Sequence, residues 1–171
     1  DWVTRNGTIV SETPLITTTP YAFEAFDQVY NIDKKGKWRR VMQSIADHVI
    51  FDIHDFDYSI TAKTCAYGPY DHIGGVINAS AYRSFLLTIA ANRFSKNEYW
   101  QIAKQNLNFV LENQQPNGCW YYAADNIRDF VDHFHTCFVL KSLAMSQHLE
   151  ALSKHSNKNT FYTTFVFVHQ L

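Results

Sequence analysis

An internal repeat constrains this chain more than any single motif. Tyr21 and Tyr82 each open a helix that is apolar on most sides, and Trp38 and Tyr99 each open the one-sided helix that follows. Both pairs stand 61 positions apart. The same offset places Phe26 on Leu87, Val41 on Ile102, Met42 on Ala103, Val49 on Val110 and Ile50 on Leu111. A third unit begins at His133, with Phe138 and Leu140 lying where Phe85 and Leu87 lie in the second. Trp2 and Trp120 each precede such a helix across an irregular strip. A repeat of about 50–60 residues, built of one all-round apolar helix and one amphipathic helix, describes helical hairpins stacked side by side in an inner and an outer layer.

The local signals predict where these helices lie. Thr19 as N-cap with Pro20 in the first turn starts a helix over 20–32, because the proline ring fixes φ where no N–H partner is needed. Trp38, Val41, Met42, Ile45 and Val49 recur at helical spacing and give a helix over 37–52. Asn78 or Ser80 caps an all-round apolar helix that ends near Phe94. Ser95-Lys96-Asn97-Glu98 reads as a capping box opening a helix over 97–114. Pro116-Asn117-Gly118 makes a turn, and an acid at or before Asp132 caps a last helix over 133–149. Residues 1–18 read as an irregular lead-in. Residues 54–77 show no period, and a loop of that length rich in aromatics is expected to form a lid or groove wall. The expected fold class is therefore all-α: an α/α toroid built of helical hairpins, incomplete at about two and a half repeats. The domain reading is a toroid segment over 1–149 and an atypical tail over 150–171, whose alternating β-branched and aromatic residues read as a strand. Ring closure takes more hairpins, so the chain is expected to be a segment of a longer protein or an open array.

Charge narrows the partners. With 15 Lys+Arg against 16 Asp+Glu, the chain offers no basic field to gather phosphates, and nucleic acid is not expected. No stretch reaches the roughly 18 apolar residues of a membrane span. Three scattered cysteines, Cys65, Cys119 and Cys137, make no disulfide framework and point to a reducing, cytoplasmic setting, with a secreted or periplasmic one as the alternative. Neither Cys65 nor Cys119 has a local His or Lys to mark a reactive thiolate. The aromatic content, 16%, exceeds what a small core needs and suits a groove that stacks on sugars.

Asn78-Ala-Ser-Ala-Tyr82-Arg83, the segment from Tyr99 to Tyr122 and Asp132-His-Phe-His-Thr-Cys-Phe-Val-Leu resemble the C-terminal half of bacterial α/α-toroid proteins of the six-hairpin glycosidase-like superfamily. These include proteins encoded with polysaccharide-biosynthesis genes. The resemblance covers roughly residues 10–149. The turn Gln114-Gln115-Pro116-Asn117-Gly118-Cys119-Trp120 is also similar to that of prenyltransferase and terpene-cyclase toroids. What the resemblance implies is a carbohydrate or polysaccharide partner bound in the central funnel.

In such an array the inner helices aim their N-termini at one mouth, where Thr19, Tyr21, Asn78, Tyr82, Arg83, Asp129, Asp132, His133 and His135 are expected to meet. An acidic sugar suits that mouth. Asp132, His133, His135, Tyr82 and Asp129 are the candidate catalytic groups, a Tyr or His moving the proton beside the sugar carboxylate. Asn78, Arg83, Trp120, Tyr121, Tyr21, Asp71 and His72 are the candidate substrate contacts. Asp125, Asp129 and Asp132 offer a second route, the carboxylate pair of glycoside hydrolysis. Each has a structural alternative: an acid nearest the helix serves as N-cap, one histidine bonds a backbone carbonyl, and Trp120 with Tyr121 and Tyr122 seals the hairpin. His133 and Cys137 share a helix face beside Asp132, but too few ligands stand at metal-site spacing, so neither metal nor cofactor is expected. The functions expected are hydrolysis, elimination or epimerisation of an acidic glycan. The alternatives are a non-catalytic glycan-binding or scaffold toroid and, third, a prenyl- or terpene-handling toroid.

Overall fold

Thr18 rather than Thr19 precedes the first helix of the chain, and the reason lies in the turn before it. The Thr18 and Thr19 hydroxyls both donate to the Leu15 carbonyl, so Thr19 is already inside helix α1 (Thr19–Asp33), with Pro20 in its first turn. The computed structural model describes residues 1–4 and 7–154. Ahead of α1, β1 (Trp2–Thr4) and β2 (Gly7–Ile9) pair antiparallel where an irregular lead-in was expected. Helix α2 (Gly36–Phe51) buries Met42, Ala46 and Val49, one stripe at helical spacing, as its pattern demands. Strands β3 (Asp55–Asp57) and β4 (Lys63–Cys65) follow, then α3 (Ile77–Phe94), α4 (Asn97–Glu112) and α5 (His133–Lys154). The protein is thus mostly helical, with two short hairpins added.

Two further helix caps differ from the sequence reading. Helix α3 starts at Ile77, so Asn78 and Ser80 lie within its first turn, and neither caps it. Ser95 does not open a capping box: it adopts a left-handed φ of 55° as the C-cap of α3, its N–H bonded to the Ala91 carbonyl, and Lys96 precedes α4 instead. A tight α3–α4 connection uses this residue to stop one helix, which leaves none free to start the next.

The region read as a lid is bolted down. Asn106 Nδ2 donates to the Lys63 carbonyl at 2.8 Å and Asn108 Nδ2 to the Thr61 carbonyl at 3.0 Å, while the Ser59 and Thr61 hydroxyls reach Glu112. Thr64 and Ser80 hydroxyls meet inside the core. Strands of three residues are too short to show a period, which is why the sequence concealed them.

The repeat is real at the level of packing. Met42 and Ala103 are both buried, as are Val49 and Val110, while Val41, Ile102, Ile50 and Leu111 are all half-buried. Nearly every residue of α3 from Ile77 to Ala91 is buried, because α1, α2, α4, α5 and β4 all pack on it. Burying its Phe85, Leu86 and Leu87 contributes about 1.5–3 kcal/mol each. Two helical hairpins, α1–α2 and α3–α4, thus stand side by side, and α5 packs on α3. The side chain of Trp2 and residues 155–171, with the expected strand in the tail, lie outside the described residues; within the segment read as tail, helix continues to Lys154.

Candidate functional site

The starts of α1, α3 and α5 lie together. Tyr21 and Tyr82 stand at equivalent positions of the first two units, and their hydroxyls hydrogen-bond each other at 2.8 Å. The Tyr82 ring also lies 5.5 Å from Phe138 of α5. From there rings continue without a break: Phe138 to Phe134 at 4.5 Å, Phe134 to His135 at 5.4 Å, His135 to Tyr122 at 4.6 Å, and Tyr122 stacked on Phe130 at 5.0 Å. An aromatic wall therefore crosses all three helix entrances. Lys141 of α5 reaches back over the Tyr21 ring to Glu24 of α1, closing the far side.

Asp132 sets the chemistry of this wall. Its Oδ1 accepts the His135 N–H at 2.7 Å, the N-cap geometry for α5, and its Oδ2 meets His135 Nδ1 at 2.5 Å. Asp132 thus caps α5 and holds the His135 ring with one side chain. Burial pushes the Asp132 carboxyl up, yet the His135 N–H and ring together hold it below its ordinary value. In a neutral imidazole, an Nδ1 that donates to a carboxylate carries the ring's one proton, and the lone pair then falls on Nε2.

Asp125 serves the loop ahead of it. Its Oδ1 accepts the Ile127 and Arg128 N–H groups and its Oδ2 the Arg128 guanidinium at 2.6 Å. Burial raises this carboxyl, but the Arg128 and Ile127 N–H groups with the Arg128 charge outweigh it and hold it at about 2. The loop so folded hands its Tyr122 carbonyl to the Ile77 N–H at the entrance of α3.

The phenols respond to the same crowding. Burial, then the Tyr21 hydrogen bond, pushes the Tyr82 phenol far up, and burial with Tyr67 nearby raises Tyr122, so both stay protonated. Asn78, one helical turn before Tyr82 and so on the same face of α3, is buried, and its Oδ1 has no hydrogen-bond partner among the described residues.

Several expected contacts lie elsewhere. Arg83 is fully buried and turned toward the first hairpin: Nε donates to the Val49 carbonyl at 2.9 Å, Nη2 to the Ile53 carbonyl, and Nη1 pairs with Asp55. It ties off the end of α2 and is no part of the mouth. Trp120 is 3% exposed with Nε1 on the Val110 carbonyl at 2.8 Å, which closes the end of α4 and leaves no face for a sugar. His72 stacks on His54 at 6.2 Å, and Asp71 beside it is exposed. Asp129 and His133 are exposed at the rim, as is Tyr121. Among the described residues no cluster of three or more His, Cys, Asp or Glu could hold a metal ion. Cys65 is buried, and burial pushes its thiol up to about 11, the state of an inert core cysteine.

Sequence reasoning missed Tyr67, Phe138 and Lys141 as members of this neighbourhood. Tyr67 receives the Thr17 hydroxyl on its own, a contact 50 residues apart with no local signature. Phe138 was visible only as a repeat position. No helix of the described residues is long and apolar enough to cross a membrane. Compared with protein-family models, with curated proteins and with solved structures, the chain matches none.

Proposed function

We propose that the mouth formed by the starts of α1, α3 and α5 binds an acidic glycan, and that His135, held by Asp132, removes the proton beside a sugar carboxylate. The observation that carries this reading is the Asp132–His135 pair set in a continuous aromatic wall. The rings supply flat faces for sugar and Nε2 supplies the base, while Tyr82, buried and with its pKa pushed far up, meets a sugar only through the hydroxyl of the exposed Tyr21 bonded to it. Asn78, with an unpaired amide oxygen, is the candidate partner for a sugar hydroxyl or protonated carboxyl. Loss of the C5 proton with departure of the C4-linked oxygen gives an unsaturated sugar; return of a proton to the opposite face gives the epimer.

Hydrolysis is the weaker member of the expected set. It needs one carboxyl raised in pKa as acid, whereas Asp125 and Asp132 are both lowered by the hydrogen bonds they accept. The same engagement leaves these acids poorly suited to a magnesium diphosphate, the need of a prenyl-handling toroid. A non-catalytic glycan-binding role is the second reading, favoured by the exposed rings of Tyr21 and Tyr121. The ion pair from Lys141 of α5 back to Glu24 of α1 is what supports a toroid-like arc.

Turnover of polygalacturonate, followed by ultraviolet absorbance of unsaturated product and by NMR for epimerisation, separates the two readings. His135→Ala is expected to cut turnover by roughly 10²–10⁴-fold and Asp132→Asn by a smaller factor. Wild-type turnover that both variants leave unchanged would overturn the assignment. Binding without turnover in the wild type would leave the non-catalytic reading standing alone.

A further inference from the structure

The repeat allows each inner helix to be compared with its counterparts, face by face. One face of α3 carries Arg83, Leu86 and Ala90, all fully buried against the first hairpin, where Arg83 bonds the Val49 and Ile53 carbonyls and Leu86 and Ala90 join Met42, Ala46 and Val49 in one core. The counterpart in α5 is Thr136, Val139 and Leu143, of which Val139 and Leu143 are buried among Ile77, Ala81, Phe109 and Val110 of the second hairpin. In each case this is the face that leans on the hairpin before it. The counterpart in α1 is Ala22, Ala25 and Val29, continued by Ile32. All four are exposed, Ile32 at 84%, and they recur at spacings of three and four, the stripe that a packed helix buries.

The opposite face tells the complementary story. Ile77 and Ala81 of α3, buried among Val139 and Leu143 of α5, form the face that receives the following hairpin. Ile16 and Pro20 hold that place in the first unit and are buried too. In the third unit the place falls to Phe130 and Phe134, exposed at 50% and 67%. One end of the described structure thus offers an apolar stripe made to lean on a preceding hairpin, and the other offers two rings placed to receive a following one.

We propose that these two faces meet between copies: Ala22, Ala25, Val29 and Ile32 of α1 in one chain dock on Phe130 and Phe134 at the entrance of α5 in a second, continuing the contact that α3 makes with the first hairpin and α5 with the second. The occupant is a second copy because both halves of the contact stand exposed on the same chain among the described residues, Phe130 and Phe134 remaining open to solvent beside their contacts to Tyr122 and Phe138. The arrangement is head to tail, so it closes into a ring or continues as a filament according to the rotation at each joint.

Sedimentation of the 171-residue chain over a range of concentrations tests this. The wild type is expected to associate reversibly. Ala25→Glu and Phe134→Glu, each at an exposed site, are expected to remove the associated species while helical circular dichroism is kept. Mixed in equal amounts, the two variants are expected to form a heterodimer, since each retains the face that the other has lost. Wild type that stays monomeric, association that survives both substitutions, or a mixture that stays monomeric would each overturn the proposal. Ala22→Glu repeats the first arm if Ala25→Glu fails to fold.

Discussion

Arg83 and Asp125 show how single charged residues spend themselves on structure in this protein. Arg83 has no exposed surface and satisfies two carbonyls and a carboxylate at once, so Arg83→Met strands all three partners. Breaking such a buried pair costs about 3–5 kcal/mol, and urea unfolding at neutral pH is expected to report a loss of that order. Asp125 works through its lowered pKa. A carboxyl lowered on folding, here from 3.8 to about 2, stabilises the fold above its unfolded value and loses that contribution as pH falls between the two. Asp125→Asn is therefore expected to destabilise at pH 7 by on the order of 1–2 kcal/mol after screening, and the gap to wild type is expected to shrink as pH falls toward about 2 and to close below it. Thermal melts at both pH values check this; an equal gap at both would refute it. Neither role was legible beforehand. A buried arginine and a loop carboxylate are defined by carbonyls and N–H groups that only the folded chain supplies, and Arg83 sits beside Tyr82 in sequence while facing away from it in space.

Elements were more legible where their signal is periodic and less where it is a single residue. The stripes of α2 and α4, with Met42 on Ala103 and Val49 on Val110, survive from sequence into burial because helical spacing is a local property. The capping box at Ser95 did not survive, because the same residue was needed in a left-handed turn. The two accounts differ in sign. A capping hydroxyl lost to glycine destabilises, whereas relief of a left-handed φ stabilises, so Ser95→Gly is expected to raise stability by about 1 kcal/mol. A lowered melting temperature would favour the capping box after all. Trp120 illustrates a motif whose structural use displaces its functional one. Its indole is buried and bonded to Val110, so Trp120→Ala is expected to cost about 3–5 kcal/mol, read as a lowered denaturant midpoint. Loss of glycan binding without loss of stability would contradict that assignment.

At the scale of the whole molecule, the repeat read from the sequence accounts for the side-by-side hairpins. It does not account for the added strands, which are too short for a period, nor for the loop of residues 119–132 that locks onto the start of α3 through Tyr122 and Ala124. The proximity of these residues was legible in outline: Tyr21, Tyr82, Asp132 and His135 were expected at one end, and a chain of ring and hydrogen-bond contacts joins them. The lining around them was not, since Tyr67 arrives from the connection between β4 and α3, and Phe138 and Lys141 from α5, with no local signature to join them. The central claim is that an acidic glycan occupies this wall. Affinity electrophoresis in gels containing polygalacturonate, with dextran as the uncharged control, tests it most directly. Wild type is expected to be retarded by polygalacturonate alone, and Tyr21→Ala and His135→Ala to migrate freely while keeping their helical circular dichroism. Wild type that runs unretarded, or variants retarded as strongly as wild type, would contradict it.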